Sequence, residues 1–263
     1  MEQREAHISS TGFSSQELAG SFRELGVEDG DAVLVHSSYK SLGSVIGGPS
    51  AVIDALQEAL GADGTLIMPT FNFGFCDGEP FDARTTPSRM GVLSELVRND
   101  PNSKRVGHPI YSFAVLGAKA DEAASISDPS SYGANSLFGH LRKWGGKIMI
   151  IGLSYNDSMT FFHHVEELQG VDYRYLKSFS GMVTDITGES LERTVTMYVR
   201  DLDRGVVTAV DAMGELLANK GLIRSARIGE AAVRLMGAQE IFDATVETMQ
   251  KEPRLLYTLD EGF

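Results

Sequence analysis

Apolar residues in the first quarter of the chain follow two alternating patterns. Continuous apolar runs at residues 32–35 and 65–68 predict buried strands, the second of which ends at Pro69. Apolar residues at helical spacing predict one helix before each of these strands. The residues that carry this spacing are Phe13, Leu18, Phe22 and Leu25, near the N-cap candidates Ser14 and Ser15, and then Val52, Ile53, Leu56 and Leu60.

The same alternation continues to the end of the chain. Helices are predicted at residues 91–97, 137–142, 160–168, 206–219 and 230–251, the last with a break near Gly237. Strands are predicted at residues 112–116, 147–151 and 222–228. Residues 182–186 and 193–199 flank the turn sequence Thr187-Gly188-Glu189, which predicts a β-hairpin.

Strands that alternate with helices indicate an α/β protein. Together with the hairpin, they predict a three-layer α/β/α fold with a central mixed β-sheet and a β-hairpin in the C-terminal half. The sequence shows no repeat, low-complexity tract or long linker. We therefore expect residues 1–263 to form a single domain.

Composition restricts the cellular compartment in which the protein is expected to work. The chain has 263 residues, of which 42% are hydrophobic, and one cysteine, Cys76, which favours a reducing compartment such as the cytoplasm. Residues 1–11 are polar and lack the apolar core of a signal peptide. No apolar run approaches the roughly 20 residues that span a bilayer, so no membrane partner is expected.

The formal net charge of -13 also restricts the partners. A field of this sign repels phosphate backbones, so no nucleic-acid partner is expected. It attracts polycations, although solubility alone also explains such a charge.

One candidate ligand loop lies between the first strand and the helix after it, at residues 36–48. Its small hydroxyl residues and glycines expose backbone N–H groups, and the following helix adds partial positive charge, a combination that binds phosphates. The loop matches neither the GxGxxG dinucleotide motif nor a P-loop. From spacing alone, a phosphate site and a purely structural loop both remain open.

A second candidate site lies on the helix at residues 160–168. His163 and Glu166 are three residues apart, so on a helix they share a face within hydrogen-bond reach. A carboxylate beside a histidine fixes its tautomer and stabilises its protonated form, as a general base requires. The competing interpretation is a solvated helix face on which the pair is incidental.

Two other chemistries receive weaker support. His163, His164, Glu166 and Glu167 are clustered, but adjacent histidines point to different helix faces and no HExxH spacing exists, so no metal is expected. The run Gly152-Leu153-Ser154-Tyr155-Asn156 resembles a hydrolase nucleophile elbow, GxSxG. Asn156 occupies its last glycine position, and the only later histidines follow Ser154 too closely. Cys76, with no basic residue nearby in sequence, is expected only to pack.

Several motifs together resemble the aminoglycoside 3-N-acetyltransferase family, and they keep its order and spacing from about residue 13 to residue 174. The motifs are residues 33–38, 41–43, 47–49, 64–70 and 91–98, His108-Pro109, residues 112–114, Tyr132-Gly133 with Ser136, and Asp157, Thr160, His163, Glu166, Val171, Tyr173 and Arg174. The resemblance implies direct acetyl transfer from acetyl-CoA to an amine, without a covalent acyl-enzyme. The implied acceptor is the 3-amino group of the 2-deoxystreptamine ring of an aminoglycoside, and the implied role is antibiotic resistance.

The resemblance also implies roles for individual residues. His163 would be the base, Glu166 its partner or a substrate ligand, and Asp157 would hold ammonium groups. The acceptor side would include Glu95, His108 and Glu167. The coenzyme would be held by His36, Ser37, Ser38, Ser41, Leu42, Gly43 and Val45, with Ser112 and Phe113 near its thioester end.

Departures from the family pattern concentrate on the acceptor side. His164 and Glu167 form an unusual cluster, and Asp172 stands where proline is common in the family. The alternative acceptor is another amino sugar or small amine of polysaccharide or secondary-metabolite biosynthesis. A binding module without turnover is the non-enzymatic alternative. The sequence leaves the oligomeric state open, a homodimer included.

Overall fold

A seven-stranded sheet organises the computed structural model, which describes residues 12–106 and 108–260. The strand order is β10-β11-β6-β1-β2-β5-β4, in which β1 pairs in parallel with β2 and β6 and the other neighbours are antiparallel. The strands are β1 (Ala32–Ser37), β2 (Thr65–Pro69), β4 (Lys104–Val106), β5 (Phe113–Gly117), β6 (Lys147–Ile151), β10 (Arg224–Ile228) and β11 (Ala231–Gly237). The predicted mixed sheet is confirmed. The expectation about a signal peptide concerns residues 1–11, which lie outside the described residues.

Helices cover both faces of this sheet. Along β1, Ala32 and Leu34 pack into one apolar cluster, whereas Val33 and Val35 pack into the other. The second cluster is covered by α1 (Ser15–Leu25), α2 (Gly48–Leu60) and α3 (Val92–Arg98). The first is covered by α4 (Ala120–Ala124), α5 (Leu137–Lys143), α6 (Tyr155–Ser158), α7 (Phe161–Gln169), α8 (Asp211–Asn219) and α9 (Ala238–Lys251). The three-layer prediction is therefore confirmed.

The C-terminal half carries the predicted hairpin, which is longer than the sequence indicated. Strands β7 (Arg174–Thr184) and β8 (Ser190–Arg200) are antiparallel over 11 residues each, and β3 (Phe81–Asp82) adds in parallel to β7. A separate two-stranded sheet joins β9 (Val206–Thr208) to β12 (Tyr257–Leu259). Two 3₁₀ turns, Tyr39–Leu42 and Gly74–Asp77, follow the β1 and β2 ends.

Two of the predicted helices begin too early. Residues 231–237 form β11 rather than the start of a helix, because Ala231, Val233 and Leu235 bury alternate side chains between β10 and β6. Residues 206–208 form β9, which depends on pairing with β12 near the chain end. Within residues 12–106 and 108–260, no helix combines the length and apolarity needed to cross a membrane.

Candidate active site

His163 and Glu166 form a direct hydrogen bond on α7. The Nδ1–H group of His163 donates to Glu166 Oε2 at 2.6 Å, because residues three apart meet on one helix face. A carboxylate can only accept, so this bond leaves the lone pair of the ring on Nε2. Among the described residues Nε2 has no hydrogen-bond partner, and 16% of the side chain is exposed. His163 therefore presents an unprotonated nitrogen outward.

Glu166 is fully buried and held by three side chains. The Tyr173 hydroxyl donates to Oε1 at 2.9 Å, and Arg174 Nε lies 2.8 Å from Oε2. Burial opposes the charge of Glu166, but His163, Arg174 and Tyr173 outweigh it and lower the pKa of the carboxyl group. The interpretation as an incidental pair on a solvated face is therefore wrong.

Tyr173 and Arg174 were quoted only as family motif positions, and their contacts with the carboxylate were not anticipated. Tyr173 immediately precedes β7 and Arg174 begins it, so both lie beyond the helix that carries Glu166. The spacing of residues along α7 therefore cannot predict these two contacts. The indication that the sequence offers is that both residues follow Glu166 in the family motif.

The protonation state of His163 differs from the expectation. Burial lowers the pKa of the imidazole, and the positive charge of Arg174 lowers it further, against the smaller opposing effect of Glu166. Glu166 therefore orients the ring but does not, on balance, favour its protonated form. A neutral imidazole at pH 7 is the form that can accept a proton.

The predicted loop at residues 36–48 begins later in the structure, because His36 and Ser37 pair with β6 as the last residues of β1. This end of β1 and the loop after it combine buried and half-buried residues. His36 is 5% exposed, burial lowers its pKa to about 4, and its Nε2 is buried without a partner among the described residues. Leu42 is also buried, whereas Ser37, Ser38, Ser41, Gly43 and Val45 are half-buried. The Ser38 N–H group donates to Ile151 O at 2.8 Å, and the Ser41 hydroxyl donates to Ser38 O at 2.6 Å.

The N-terminus of the helix after this loop has few free donors. Gly47 caps α2 without a side-chain hydrogen bond, the Gly48 N–H group donates to Val45 O at 3.1 Å, and Pro49 has no N–H group. The backbone N–H groups that could suit an anion here are therefore those that follow Pro49. The orphaned ring nitrogen of His36 lacks a partner that a bound chain could supply. These features fit the predicted pyrophosphate and coenzyme contacts.

A close approach joins this loop to the end of β6. Gly152 has a φ of 63°, and a Cβ atom placed there would lie 1.7 Å from Ser41 Oγ. Only glycine leaves room for the Ser41 hydroxyl at this point. The loop is thus pressed against the carboxyl end of the central sheet.

Aromatic rings link the β1 loop to His163. Ring centroids are 6.5 Å apart for His36 and Phe71, and 4.6 Å for Phe71 and Tyr111. The series continues through Tyr132, which lies 4.9 Å from Tyr111 and 5.4 Å from His163. The two predicted parts of the site are therefore connected by packed rings near the carboxyl ends of β1 and β2, and their union in one cleft stays a prediction.

Ser112 and Phe113 lie behind this aromatic wall. The Ser112 hydroxyl donates to Thr70 O at 2.9 Å and accepts from Arg105 Nε at 3.2 Å, and the residue is fully buried. Phe113 is also buried, with its ring centroid 5.2 Å from that of Phe71. Their placement near the thioester remains a prediction, since the structure shows them supporting Phe71.

His108 and Glu95 do not contact His163. His108 Nδ1 accepts from the Ile110 and Tyr111 N–H groups at 3.2 and 3.1 Å, and its Nε2 lies 3.2 Å from the Ser131 hydroxyl. Burial lowers the pKa of His108 to about 4.

Glu95 accepts from Arg98 Nε at 2.9 Å and from the Ser88 N–H group at 2.8 Å. The Arg98 hydrogen bond contributes most to lowering the pKa of Glu95. Its role on the acceptor side remains a prediction.

Asp157 and Glu167 are both engaged by serines. The Ser154 hydroxyl donates to Asp157 Oδ2 at 2.7 Å and accepts from the Asp157 N–H group at 3.0 Å, as an N-cap of α6. Glu167 accepts from the Ser130 hydroxyl at 2.6 Å. Ser154 therefore acts as a helix cap, and among the described residues it makes no contact with a histidine of the kind that a nucleophile needs.

His164 points away from His163 into the core. Its Nδ1–H group donates to Tyr132 O at 2.6 Å, Arg142 Nη1 lies 3.3 Å from its Nε2, and burial lowers its pKa to about 4. The part of the chain that the structure describes contains no group of three or more His, Cys, Asp or Glu residues placed to hold a metal ion. The predicted separation of the two histidines is confirmed.

A cavity of about 540 Å³ lies under the hairpin, apart from His163. Its wall includes Arg105, His108, Asp128, Ser131, Asp185 and Arg193. Asp128 and Asp185 both accept backbone N–H groups of their own turns.

Comparison with known proteins identifies relatives over most of the chain. A family model described as aminoglycoside 3-N-acetyltransferase matches residues 34–250. Aminoglycoside N(3)-acetyltransferase IV of Salmonella is 30% identical over 252 residues, covering 94% of this chain and 91% of the relative.

Solved structures show the same fold. The structure of AAC-IIIb in binary complex with CoASH has a TM-score of 0.81 and 26% identity, covering 90% of this chain and 96% of that one. Aminoglycoside acetyltransferase AAC(3)-IVa, as a histidine-to-alanine mutant in complex with apramycin, has a TM-score of 0.76 and 26% identity. That similarity covers 93% of this chain and 95% of that one.

Proposed function

We propose that this chain, which belongs to the aminoglycoside 3-N-acetyltransferase family, transfers an acetyl group from acetyl-CoA to the 3-amino group of the 2-deoxystreptamine ring of an aminoglycoside. The single observation that carries the proposal is the 2.6 Å hydrogen bond from His163 to the buried Glu166, which leaves Nε2 as the outward base. This is the arrangement that an amine nucleophile needs.

The proposed reaction uses His163 as the general base. Acetyl-CoA supplies the activated acyl group as a thioester. As the amine nitrogen bonds to the acyl carbon, its proton passes to His163 Nε2, and the carbon–sulfur bond breaks. The proton then neutralises the departing thiolate. Glu166 and Arg174 keep the imidazole oriented throughout, because both are buried and in contact.

The rest of the site is assigned by position. The coenzyme lies along the β1 loop, with contacts at His36, Ser37, Ser38, Ser41, Leu42, Gly43 and Val45, and with Ser112 and Phe113 towards its thioester. Ammonium groups of the acceptor interact with Asp157 and Glu167, which have exposed or half-buried carboxylates, while Glu95 and His108 support the cleft. The chain acts as one domain in the cytoplasm, and it needs no metal.

A second acceptor class is favoured by one observation. Asp172 stands where proline is common in the family, and it contacts Arg204 at 3.2 Å on the exposed surface. A charged pair in place of an apolar residue on the acceptor side favours an acceptor other than that of the resistance enzymes. Acetylation of another amino sugar or small amine is the alternative function.

The test is release of CoA thiol by the purified protein with acetyl-CoA and a panel of amines. We expect apramycin to gain one acetyl group on its 3-amino nitrogen, located by NMR, and the His163→Ala variant to be impaired. Acetylation of a simple amino sugar but not of apramycin, gentamicin or sisomicin would support the alternative. Binding of acetyl-CoA without acetylation of any amine would contradict both.

A further inference from the structure

Arg174 and Arg200 face each other at the open end of the hairpin. They are direct partners in the antiparallel pairing of β7 and β8. Side chains of directly paired residues project from the same face of a sheet. Arg174 reaches Glu166 from this face, so the Arg200 side chain projects towards the same site.

The two arginines differ in burial and in whether an acidic side chain pairs with them. Arg174 is 8% exposed, contacts Glu166, and donates to Tyr198 O at 3.2 Å. The Arg200 side chain is exposed, and among the described residues it forms no hydrogen bond or ion pair. The side chain of Arg204, in contrast, is paired with Asp172. The positive charge of Arg200 is therefore not held in an ion pair within the described part of the chain.

The charged groups around His163 come from α7 and from the hairpin. Glu166 carries one negative charge and Arg174 one positive charge, in contact at 2.8 Å. The Tyr132 ring packs against His163 from the segment between α4 and α5, and burial raises the pKa of its hydroxyl, so it carries no charge. Glu167, four residues after His163 on α7, adds a second carboxylate, which accepts from the Ser130 hydroxyl. Arg200 adds a second positive charge, which lowers the pKa of the imidazole and also that of Tyr111 in the aromatic wall.

The positive charge of Arg200 opposes the field of the whole molecule. A protein of net charge -13 favours protonation of any base or amine near its surface. Amine attack on a thioester requires the reverse, since both the base and the nucleophile must be unprotonated. A cation beside the base disfavours a second positive charge there.

We propose that Arg200 is a positioning residue of the His163 site, whose positive charge keeps the imidazole, and the acceptor amine beside it, in their neutral forms. The part that concerns the amine rests on the proposed function. The part that concerns His163 stands without it. Arg200 touches neither the base nor the thioester directly, and it acts through the electrostatic potential at Nε2.

The first test is an NMR titration of histidine-labelled protein, with the His163 signal assigned from its loss in His163→Gln. In Arg200→Gln we expect His163 to titrate at higher pH than in the wild type, with a larger difference at low salt than at high salt. Arg200→Lys should titrate like the wild type. The matched control is Arg193→Gln, since Arg193 is an exposed arginine of the same strand without an ion pair among the described residues. An unchanged titration in Arg200→Gln, or an equal change in Arg193→Gln, overturns the proposal.

The second test is the pH profile of acetyl transfer. We expect Arg200→Gln to lose about two- to threefold in kcat/KM at pH 6, and a smaller loss should persist at pH 8 because the acceptor amine still titrates there. The KM for a polycationic acceptor at pH 8 should not rise. A raised acceptor KM with an unchanged pH profile would make Arg200 an acceptor-binding residue and overturn the proposal. If no amine is acetylated by the wild type, the proposed function fails, while the titration still decides whether Arg200 controls His163.

Discussion

Arg174 and Glu166 form an ion pair that solvent hardly reaches: Nε lies 2.8 Å from Oε2, and the side chains are 5% and 0% exposed. Removing one partner of a buried pair leaves the other charge without compensation. We expect Glu166→Ala to lower the free energy of unfolding by about 3–5 kcal/mol. Urea titration followed by circular dichroism measures this loss.

The control is a double variant that removes both charges. Glu166→Leu combined with Arg174→Met should recover much of the stability, because two apolar side chains leave no buried charge. Acetyl transfer should not recover, since the imidazole has lost its oriented partner. The component single variants are Glu166→Leu and Arg174→Met. If the double variant loses as much stability as these two lose separately, added together, the two residues act independently.

Replacement of the base gives the most direct kinetic prediction. We expect His163→Ala to lower kcat by about 10²- to 10⁴-fold, the usual contribution of a general base, with little change in CoA affinity. Stopped-flow or thiol-release kinetics measure the first effect, and calorimetry with CoASH measures the second. His140→Ala is the control, since that half-buried histidine interacts with Ser136 O on α5 and not with the site. Unchanged turnover in His163→Ala would transfer the role of base to another group, with His36 the first candidate.

Gly152 and Gly145 allow backbone strain to be separated from a steric clash. Both have a φ of 63°, but a Cβ at Gly152 would lie 1.7 Å from Ser41 Oγ, whereas a Cβ at Gly145 meets nothing within 4 Å. Each alanine variant should lose about 1 kcal/mol of stability from the left-handed backbone. Only Gly152→Ala should also weaken CoASH binding, by about tenfold or more, because it displaces Ser41. Equal CoASH affinities in the two variants would show that the β1 loop is not part of the coenzyme site.

Asp157 has a local structural role that must be separated from acceptor binding. Both Ser154→Ala and Asp157→Asn disturb the cap of α6, and each should cost about 1 kcal/mol or less. We expect only Asp157→Asn to raise the acceptor KM in thiol-release assays, since only it removes a negative charge. Equal KM values for the two variants would show that Asp157 acts only in the helix cap and does not bind the acceptor.

The elements predicted best were those whose signal is local. Continuous apolar runs identified β1, β2 and β6, because both faces of these strands are buried. Ser14 was predicted as an N-cap, and it forms a complete capping box with Glu17. In contrast, β9 exists because β12 pairs with it from about 50 residues further along the chain, so residues 206–208 alone carry no strand signal.

The same distinction applies within the site. Helical spacing was enough to place His163 next to Glu166, because that contact is made within one turn. The charge state of His163 was not predictable, since it depends on burial and on Arg174, which β7 brings from outside the helix. Arg200 was not selected at all, because its relation to His163 follows from the β7–β8 register.

The stability of the protein at acid pH should depend on its buried histidines. The pKa of His164 falls from 6.5 to about 4 on burial, so between these values the unfolded chain binds a proton that the folded chain does not. The contribution of His164 to the free energy of unfolding is therefore fully present above pH 6.5, and it is lost as the pH falls towards 4. The loss is about 1.4 kcal/mol per pH unit for each such histidine. His164→Asn, whose amide can still donate to Tyr132 O, should make this decline shallower in urea titrations between about pH 7 and pH 4.5. The control is Val165→Ala, which replaces a buried neighbour that does not titrate and should lower the free energy of unfolding equally at every pH. If the free energy of unfolding of His164→Asn fell with pH as steeply as that of the wild type, His164 would already carry its proton in the folded protein.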